Sequence, residues 1–400
     1  MPRLADRTTR IASSPTMAVT ATVDRLRREG VEIIDFGAGE PDFPTPEAVK
    51  NAGHAALDQN FTRYTPASGI VELKRAICDR YRADYGVQYA ENEVVITAGG
   101  KQALFNAALS LFGPGDEVIT HAPYWPTLTE QVKLADATPV LVRTHAEDGF
   151  TIHSEAILEA ITARTRGIIL NSPCNPTGAL ISEREAAALA DAAARHGIWI
   201  LVDLCYEKLI YDPTPHNLPK VFADRCRDLT VLCGSASKAY AMTGWRCGWA
   251  IGPAAVIAAC GAIQSHSTSN VSSITQKAAL AALTGSQETV RAMLDEYRVR
   301  RDALCGWLAA DPRLRCRKPA GAFYMFVDVS ELLSVEALRT SNDFAQALLD
   351  EARVAVTPGE AFDAPGFIRI SYATSMDQLR EGSARLLEFV RRHAPQPARV

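Results

Sequence analysis

The sequence predicts an α/β fold in which a mostly parallel sheet is covered by helices and followed by a smaller α+β unit. Apolar runs such as 167–171 and 198–202 do not alternate with polar residues, so we expect strands buried on both faces. Helical segments alternate with these runs, which is typical of a parallel sheet. After Gly252 the pattern becomes helical, and strands return only near residue 321.

The composition is that of a globular protein with two or three folding units. The 400 residues are 47% hydrophobic and 22% charged, and the net charge of -4 leaves no electrostatic footprint for nucleic acid. No apolar run approaches the ~20 residues of a membrane span, and we see no secretory signal. Nine cysteines without a CxxC pair and eight histidines without HxH or HxxxH spacing predict no metal site and a reducing cytoplasm.

The N-terminal part of the chain leads into a rigid, turn-rich loop. Pro46 suits the start of the helix after this loop. Gly39 within the loop either presents bare backbone to a ligand or makes a tight turn, and the sequence leaves both readings open. Tyr64 lies in an irregular loop where a tyrosine is usually half-buried. The predicted elements are a helix at about 13–28, a strand at 31–36, the loop at 37–46 and a helix at 71–85.

Strands and helices then alternate regularly up to residue 233. Helix 182–197 is marked by the capping box Ser182…Glu185 and by Gly197 at its end. The other expected helices are 126–135 and 154–163, and the expected strands are 93–98, 117–121, 138–142, 167–171, 198–202 and 229–233.

Residues that can bind ligands follow several of these strands. Ligands of parallel sheets bind beyond the carboxyl ends of the strands, so we expect these residues to meet at one edge. Gly99-Gly100 also opens a helix, whose first backbone N–H groups and dipole favour an anion. The residues are Gly99, Gly100, Tyr124, Trp125, Asn175, Asp203, Ser235 and Lys238.

Lys238 is the candidate reactive residue of this chain. It follows a buried strand among small residues, where desolvation favours the neutral amine that attacks a carbonyl. Arg246 follows in a loop whose Gly244 and Gly248 allow close approach to a ligand, and an arginine fork beside small hydroxyls suits a phosphate. A reactive lysine beside a phosphate site suggests a Schiff base with pyridoxal phosphate. The alternative is an ordinary surface lysine.

The second unit begins after a long helical region, and we place the domain boundary near 290–310. The capping box Ser375…Gln378 starts the last helix. The tail 395–400 looks frayed. The expected helices are 253–264, 271–284, 287–310 and 341–351, and the expected strands are 321–327 and 367–372.

These residues can each serve pyridoxal phosphate. Asp203 can pair with the protonated ring nitrogen, where an ion pair at ~4 Å in an effective dielectric near ~20 is worth ~4 kcal/mol. Asn175 and Tyr206 can donate to the phenolate oxygen, and Trp125 can stack on the ring. Arg369 interrupts an apolar strand and needs a carboxylate, either from a substrate or from an internal salt bridge. The candidate phosphate donors are Gly99, Gly100, Ser235, Ser237 and Arg246.

The combined pattern resembles the class I/II aminotransferases of fold type I, and within them the bacterial aspartate aminotransferase branch. The match covers nearly the whole chain in the right order. The residues that carry it are Gly39-Glu40-Pro41, Tyr64, Gly99-Gly100-Lys101, Tyr124-Trp125, Asn175-Pro176-Thr177-Gly178, Asp203, Tyr206, Ser235, Ser237, Lys238, Arg246 and Arg369-Ile370-Ser371-Tyr372.

The resemblance implies a seven-stranded, mostly parallel sheet in a large domain, 48–290, and a small domain, 1–47 plus 291–400, that closes over the substrate. It implies a homodimer in which Tyr64 reaches the coenzyme phosphate of the neighbouring subunit. It also implies that Lys238 carries the Schiff base and that Asp203 and Tyr206 assist it. The resemblance further implies that Asn175 and Arg369 hold the substrate α-carboxylate, and that the coenzyme and substrate also border Gly39, Lys101 and Trp125.

The activity we expect is ping-pong transfer of an α-amino group between an L-amino acid, such as aspartate, and a 2-oxo acid, such as 2-oxoglutarate. Lys101 matches a position that can bind a distal carboxylate in this branch. The chain departs from the branch at Leu204-Cys205, at Cys174 and at 13–15, where a basic residue is often found and Ser13-Ser14-Pro15 stands.

Two other classes of function remain open. The same coenzyme could support β-elimination or oxidation of an unusual amino acid, which the departure at Leu204-Cys205 allows. A non-catalytic coenzyme-binding protein, such as a ligand-sensing regulator, is the second class. A nicotinamide enzyme is disfavoured because no GxGxxG follows a first strand.

Overall fold

A computed structural model describes residues 3–13, 15–212, 216–333 and 338–393. Two expectations therefore fall partly or wholly outside the described residues, namely the tail 395–400 and Ser14 of the stretch 13–15. The strands are β1 Ile34–Asp35, β2 Val94–Thr97, β3 Glu117–Ala122, β4 Thr138–Arg143, β5 Thr165–Asn171, β6 Trp199–Asp203, β7 Thr230–Ser235, β8 Gly248–Ile251, β9 Arg315–Cys316, β10 Tyr324–Asp328, β11 Val354–Ala355, β12 Thr357–Pro358 and β13 Phe367–Ser371.

Helices occupy much of the remaining chain and cover the strands. They are α1 Arg7–Arg10, α2 Pro15–Arg28, α3 Glu47–Asp58, α4 Val71–Tyr85, α5 Gly100–Leu111, α6 Thr127–Leu134, α7 Ser154–Glu159, α8 Glu183–His196, α9 Leu218–Cys226, α10 Ala236–Ala239, α11 Ala254–Ser267, α12 Ser273–Thr284, α13 Glu288–Leu308, α14 Ser341–Ala352 and α15 Met376–Arg392. None of these described helices is long and apolar enough to cross a membrane.

The central sheet contains, among the described residues, seven strands in the order β2-β8-β7-β6-β5-β3-β4. All neighbours from β7 to β4 pair in parallel, whereas β8 is antiparallel to both β2 and β7. Ile200 and Val202 pack into one hydrophobic core, and Leu201 packs into the core on the opposite face. The sheet is therefore buried on both sides, and the predicted α/β fold with a mostly parallel seven-stranded sheet is confirmed.

A separate hydrophobic core lies around a four-stranded antiparallel sheet of order β12-β13-β10-β9. The long helix α13 contributes Met293, Tyr297 and Leu304 to this core. The N-terminal segment joins it through Ile34 and Phe36, because β1 pairs in parallel with β11. Segments from the two ends of the chain therefore share one core.

Three local predictions differ from the structure. The strand expected at 31–36 is reduced to Ile34–Asp35, because its partner β11 offers only two residues for pairing. The helix expected at 154–163 ends at Glu159. In the expected capping box, Ser182 accepts from the Glu185 backbone N–H, but the Glu185 carboxylate accepts from the Ser154 backbone instead of closing the box.

The strand β8, Gly248–Ile251, was missing from the sequence analysis. It is only four residues long and follows an irregular loop, so neither its length nor its pattern distinguishes it from loop residues. Its position is important because Gly248 packs against the backbone of Gly99 and Gly100. A Cβ at Gly248 would lie 2.4 Å from the Gly100 nitrogen.

Candidate active site

A cavity of about 690 Å³ lies where the carboxyl ends of the central strands face the smaller sheet. Strand ends of the central sheet line it on one side, and Tyr324 and Arg369 of the smaller sheet line it on the other. Most of the predicted site residues line the cavity: Gly39, Gly100, Lys101, Trp125, Asn175, Asp203, Tyr206, Ser235, Ser237, Lys238, Arg246 and Arg369. The expected convergence of the strand ends on one edge of the sheet is thus present in the structure.

Lys238 lies on the short helix α10, which begins directly after β7. The Ser235 side chain caps this helix by accepting from the Ser237 backbone N–H. The ammonium group of Lys238 donates to the Gly39 carbonyl oxygen and lies 5.8 Å from the centre of the Phe323 ring. Burial lowers the pKa of Lys238 to about 8. Lys238 is therefore not an ordinary surface lysine, and a substantial fraction of its amine is neutral near pH 8.

Asp203 is the last residue of β6 and is 2% exposed. Its Oδ1 accepts from the Cys205 backbone N–H at 3.0 Å. Burial raises the pKa of the Asp203 carboxyl, while Lys238 acts in the opposite direction. A cation placed against this carboxylate would favour its ionised form, which is the environment that a protonated ring nitrogen provides.

Donors suited to a phosphate meet at the N-terminus of α5. The Ser235 and Ser237 hydroxyl oxygens are 2.8 Å apart, and the Arg246 guanidinium donates to the carbonyl oxygens of Thr243 and Ala98 at 2.9 and 3.3 Å. In the described part of the chain no ion pair joins Arg246 to a carboxylate. Gly99 has a φ of +82°, and a Cβ there would lie 2.5 Å from Arg246.

The glycines near Arg246 act differently from our expectation. Gly248 allows close approach of the backbone of Gly99 and Gly100, which is part of the protein and not a ligand. A Cβ on Gly244 would meet no atom within 4 Å, so no close approach requires a glycine there. Gly99 itself does not line the cavity, but it leaves space for the Arg246 side chain.

Arg369 of β13 and Asn175, which follows β5, are joined by a hydrogen bond between the smaller sheet and the central sheet. Arg369, which is 2% exposed, donates to Asn175 Oδ1 and to the Gly37 carbonyl oxygen, each at 2.9 Å. Among the described residues no carboxylate forms an ion pair with it, and its buried Nε has no hydrogen-bond partner. The internal salt bridge considered as an alternative is therefore not found, and a carboxylate ligand remains the better partner.

Lys101 and Trp125 occupy another wall of the cavity. The Lys101 ammonium lies 5.0 Å from the centre of the Trp125 ring, and partial burial together with Arg246 lowers the pKa of Lys101. No carboxylate pairs with Lys101 in the described residues. A cation without a counter-ion on the wall of a cavity can receive an anionic group of a ligand.

Tyr64 is the one predicted site residue that lies well away from the cavity. It is 91% exposed and borders a separate surface depression with Phe61 and Pro66. The expected contact of Tyr64 with a neighbouring subunit stays a prediction.

Several cavity residues escaped the sequence analysis. Tyr324 is 1% exposed, and its hydroxyl oxygen lies 2.8 Å from that of Tyr206. The Asn171 side chain accepts from the Asn175 backbone N–H at 2.8 Å and donates to the Asp203 carbonyl oxygen at 3.4 Å. Asn171 ends β5, so its position at a strand end was a usable signal. Tyr324 required the pairing of two distant strands.

The donor set fits pyridoxal phosphate. A half-buried lysine with a lowered pKa faces the cavity together with a buried carboxylate. Arg246, Ser235 and Ser237 provide cationic and hydroxyl donors without a paired carboxylate, beside the helix N-terminus at Gly100. The fold and site thus define a pyridoxal phosphate enzyme of fold type I, in which a lysine binds the coenzyme.

Comparison with known proteins then identifies the family. Residues 31–386 match the family described as aminotransferase class I and II, and the chain belongs to this family. It is 43% identical to an aspartate/prephenate aminotransferase of Cereibacter sphaeroides, over 96% of this chain and 98% of that protein. It is 38% identical to an aspartate aminotransferase of Bacillus subtilis, over 98% of this chain and 100% of that protein.

The solved structures agree with this assignment. The aspartate aminotransferase of Thermus thermophilus with maleate superposes with a TM-score of 0.91 at 40% identity, covering 97% of this chain and 100% of that chain. The predicted resemblance to the bacterial aspartate aminotransferase branch is therefore confirmed, as are the fold type, the coenzyme and the aminotransferase class of reaction.

Proposed function

We propose that this chain transfers the amino group of L-aspartate to 2-oxoglutarate. The observation that carries the proposal is a pair of cations, Lys101 and Arg369, which line one cavity and lack carboxylate partners in the described residues. A substrate with two carboxylates would satisfy both. The relatives named aspartate aminotransferase, and the Thermus thermophilus structure with the dicarboxylate maleate, support this choice.

The coenzyme would be held by the residues that surround Lys238. Lys238 would form the covalent link, Asp203 would pair with the ring nitrogen, and Tyr206 would donate to the phenolate oxygen. Gly99, Gly100, Ser235, Ser237 and Arg246 would form the phosphate site, and Trp125 would cover one face of the ring. When bound, pyridoxal phosphate supplies an electron sink for the substrate α-carbon.

The protein residues would position the substrate and move its proton. Asn175 and Arg369 would bind the α-carboxylate, with the arginine fork fixing its orientation, and Gly39 would border the substrate. The Lys238 amine, freed when the substrate amine replaces it, would take the proton from the substrate α-carbon as a general base. Its pKa, lowered to about 8, suits this role, because a larger fraction of the amine is neutral than in an ordinary lysine.

The experiment that tests this proposal is a half-reaction followed by the visible absorption of the coenzyme. We expect L-aspartate to convert the coenzyme to its aminated form and release oxaloacetate, and 2-oxoglutarate to restore the original spectrum with glutamate as product. An unchanged spectrum with aspartate would contradict the substrate assignment. Release of ammonia without an oxo acid would instead indicate the elimination or oxidation chemistry considered above.

Prephenate is a second candidate acceptor. Two relatives, at 43% and 41% identity, are named aspartate/prephenate aminotransferase. Met17 and Thr20 of α2 line the same cavity as Lys101, and its volume of about 690 Å³ can hold a ring-bearing 2-oxo acid. Restoration of the original spectrum by prephenate, after amination with aspartate, would support this candidate.

The proposal extends to assembly and location. We propose a homodimer in which Tyr64 contacts the coenzyme phosphate of the neighbouring subunit. Its supporting observation is the exposure of Val71 together with Tyr64 around one surface depression. We propose the cytoplasm as the location, since all nine cysteines are free thiols. Residues 1–47 and 291–400 would form the small domain that closes over the substrate on the large domain, 48–290.

A further inference from the structure

Tyr206 and Tyr324 form a hydrogen-bonded pair of phenols in the cavity. The proposed function gives a role to Tyr206 but none to Tyr324. Tyr206 follows β6 in the central sheet, and Tyr324 begins β10 in the smaller sheet. Their hydroxyl oxygens are 2.8 Å apart, and both side chains line the cavity. Each tyrosine has one proton to donate, so the direction of this hydrogen bond decides which proton is left for a ligand.

The surroundings of the two rings decide that direction. The guanidinium carbon of Arg369 lies 4.2 Å from the centre of the Tyr324 ring. Burial raises the pKa of both phenols, and at Tyr324 the Arg369 cation is the strongest opposing influence. Burial raises the pKa of Tyr206 well above its ordinary value, and there the opposing influence of Arg369 is smaller than the contribution of the neighbouring Tyr324. Because the Arg369 cation lies over the Tyr324 ring, it favours negative charge there and makes the Tyr324 hydroxyl the stronger donor, so Tyr206 is the acceptor within the pair.

Other titratable groups also face the two phenols and influence their pKa values. Cys205 and Glu40 act on Tyr324, and both raise its pKa. The ammonium of Lys238 lies 6.0 Å from the centre of the Tyr206 ring. Tyr324 also packs close to Gly39, where a Cβ would lie 3.4 Å from its hydroxyl oxygen. Among the described residues, Tyr206 is the hydrogen-bond partner of the Tyr324 hydroxyl.

We propose that Tyr324 is a positioning residue that donates its proton to the Tyr206 oxygen and so commits the Tyr206 proton to the phenolate oxygen of the coenzyme. The inference rests on the proposed role of Tyr206 toward the coenzyme. A hydrogen bond received by Tyr206 polarises its own O–H group and strengthens its donation. Donation to the phenolate oxygen in turn lowers the proton affinity of the nitrogen that joins the coenzyme to Lys238.

The test is a pH titration of the visible band of the holoenzyme. Tyr324→Phe keeps the ring under Arg369 and removes only the hydroxyl. We expect its midpoint to move upward by about 0.2–0.5 pH unit, and that of Tyr206→Phe by about 0.5–1 pH unit. In the double variant the second substitution should add nothing, because Tyr324 acts through Tyr206.

Controls separate this role from a structural one. Tyr372→Phe removes another buried hydroxyl of the same core, which bonds Tyr211 and the Ala322 carbonyl outside the cavity lining, and should leave the midpoint unchanged. Should Tyr324→Phe fail to fold, 3-fluorotyrosine at position 324 provides the opposite change. Its more acidic hydroxyl donates more strongly, so the midpoint should move downward.

The contradictory results are distinct. An unchanged or lowered midpoint in Tyr324→Phe would overturn the inference, since a lowered value means that Tyr206 donates to Tyr324. Equal shifts with and without Tyr206 would overturn it as well. A wild-type holoenzyme without any titrating band would overturn the proposed coenzyme link at Lys238, and this inference with it.

Discussion

The reactivity of Lys238 depends on its surroundings, which lower the pKa of its amine. An exposed lysine has a pKa near ~10.4 and is almost fully protonated at neutral pH. At Lys238 burial against Phe323 and Tyr206 penalises the charged form, and the neighbouring cations Arg246 and Arg369 add to this effect. Cys205 and Glu40 oppose it but do not cancel it. A larger fraction of the Lys238 amine is therefore neutral and able to attack a carbonyl.

This gives a prediction for the pH dependence of coenzyme attachment to the apoprotein. Only the neutral amine reacts, and folding lowers the pKa of Lys238 to about 8. The rate of attachment should rise with pH up to about 8 and level off above it, as measured by stopped-flow absorbance. Nα-acetyl-lysine, with an ordinary amine, is the control and should continue to rise toward pH ~10.4. A rate for the protein that still rises beyond pH 10 would contradict this account.

A second prediction concerns Arg369 and the substrate carboxylate. Arg369→Lys keeps the charge but loses the planar fork, so we expect KM for aspartate to rise about 10- to 100-fold. The matched control is Arg143→Lys, because Arg143 bonds Asp363 in an exposed ion pair. Steady-state kinetics should show no change in the control. An equally small effect in both variants would contradict a role for Arg369 in binding the substrate carboxylate.

At the scale of elements, the loop 37–42 connects several parts of the site. The Gly37 carbonyl oxygen accepts from Arg369, the Gly39 carbonyl oxygen accepts from Lys238, and the Glu40 carboxylate accepts from Thr243. Its far end is held by Arg300 of α13, which bonds both carboxylate oxygens of Asp42 at 2.8 and 2.9 Å. The position of the loop therefore depends on the long helix.

A third prediction follows from the ion pair between Arg300 and Asp42. The Arg300 side chain is buried, and Arg300→Met keeps its apolar stem but removes its ion pairs with both Asp42 and Glu296. We expect the free energy of unfolding to fall by about 1.5–3 kcal/mol in urea titrations. The control Arg25→Met removes an exposed ion pair with Glu29 and should cost under about 0.5 kcal/mol. Similar losses in both variants would show that burial does not strengthen the Arg300 pair.

The strands also show which parts of the fold could be predicted from the sequence. Long apolar runs predicted the parallel strands, because burial on both faces leaves a clear pattern. The end of each strand then located Asp203, Asn175 and Lys238. β8 and the short length of β1 could not be predicted, because both depend on pairing with distant segments.

Tyr324 was missed for the same reason. In the antiparallel pair of β10 and β13, Tyr324 lies opposite Ser371 and Phe326 lies opposite Arg369. Tyr324 and Arg369 are therefore diagonal neighbours on one face of the sheet, within reach of each other. Only the register of the two strands reveals this contact, and the sequence does not fix the register.

For the whole molecule, the fourth prediction concerns the proposed sharing of Tyr64 between subunits. Hybrid dimers of Lys238→Ala and Tyr64→Ala would contain one site with an intact lysine and an intact tyrosine from the partner. We expect a re-equilibrated equal mixture to recover about a quarter of wild-type activity at limiting coenzyme, because half of the dimers are hybrids. The unmixed variants are the controls. No recovery on mixing would contradict a shared site.

The claim on which the whole account depends is that Lys238 holds the coenzyme. Its most direct test is reduction of the holoenzyme with borohydride, followed by peptide mapping with mass spectrometry. The account predicts a single pyridoxyl-phosphate group on the peptide that contains Lys238, and none in Lys238→Ala. A label on another lysine, or a protein that binds no coenzyme, would contradict it.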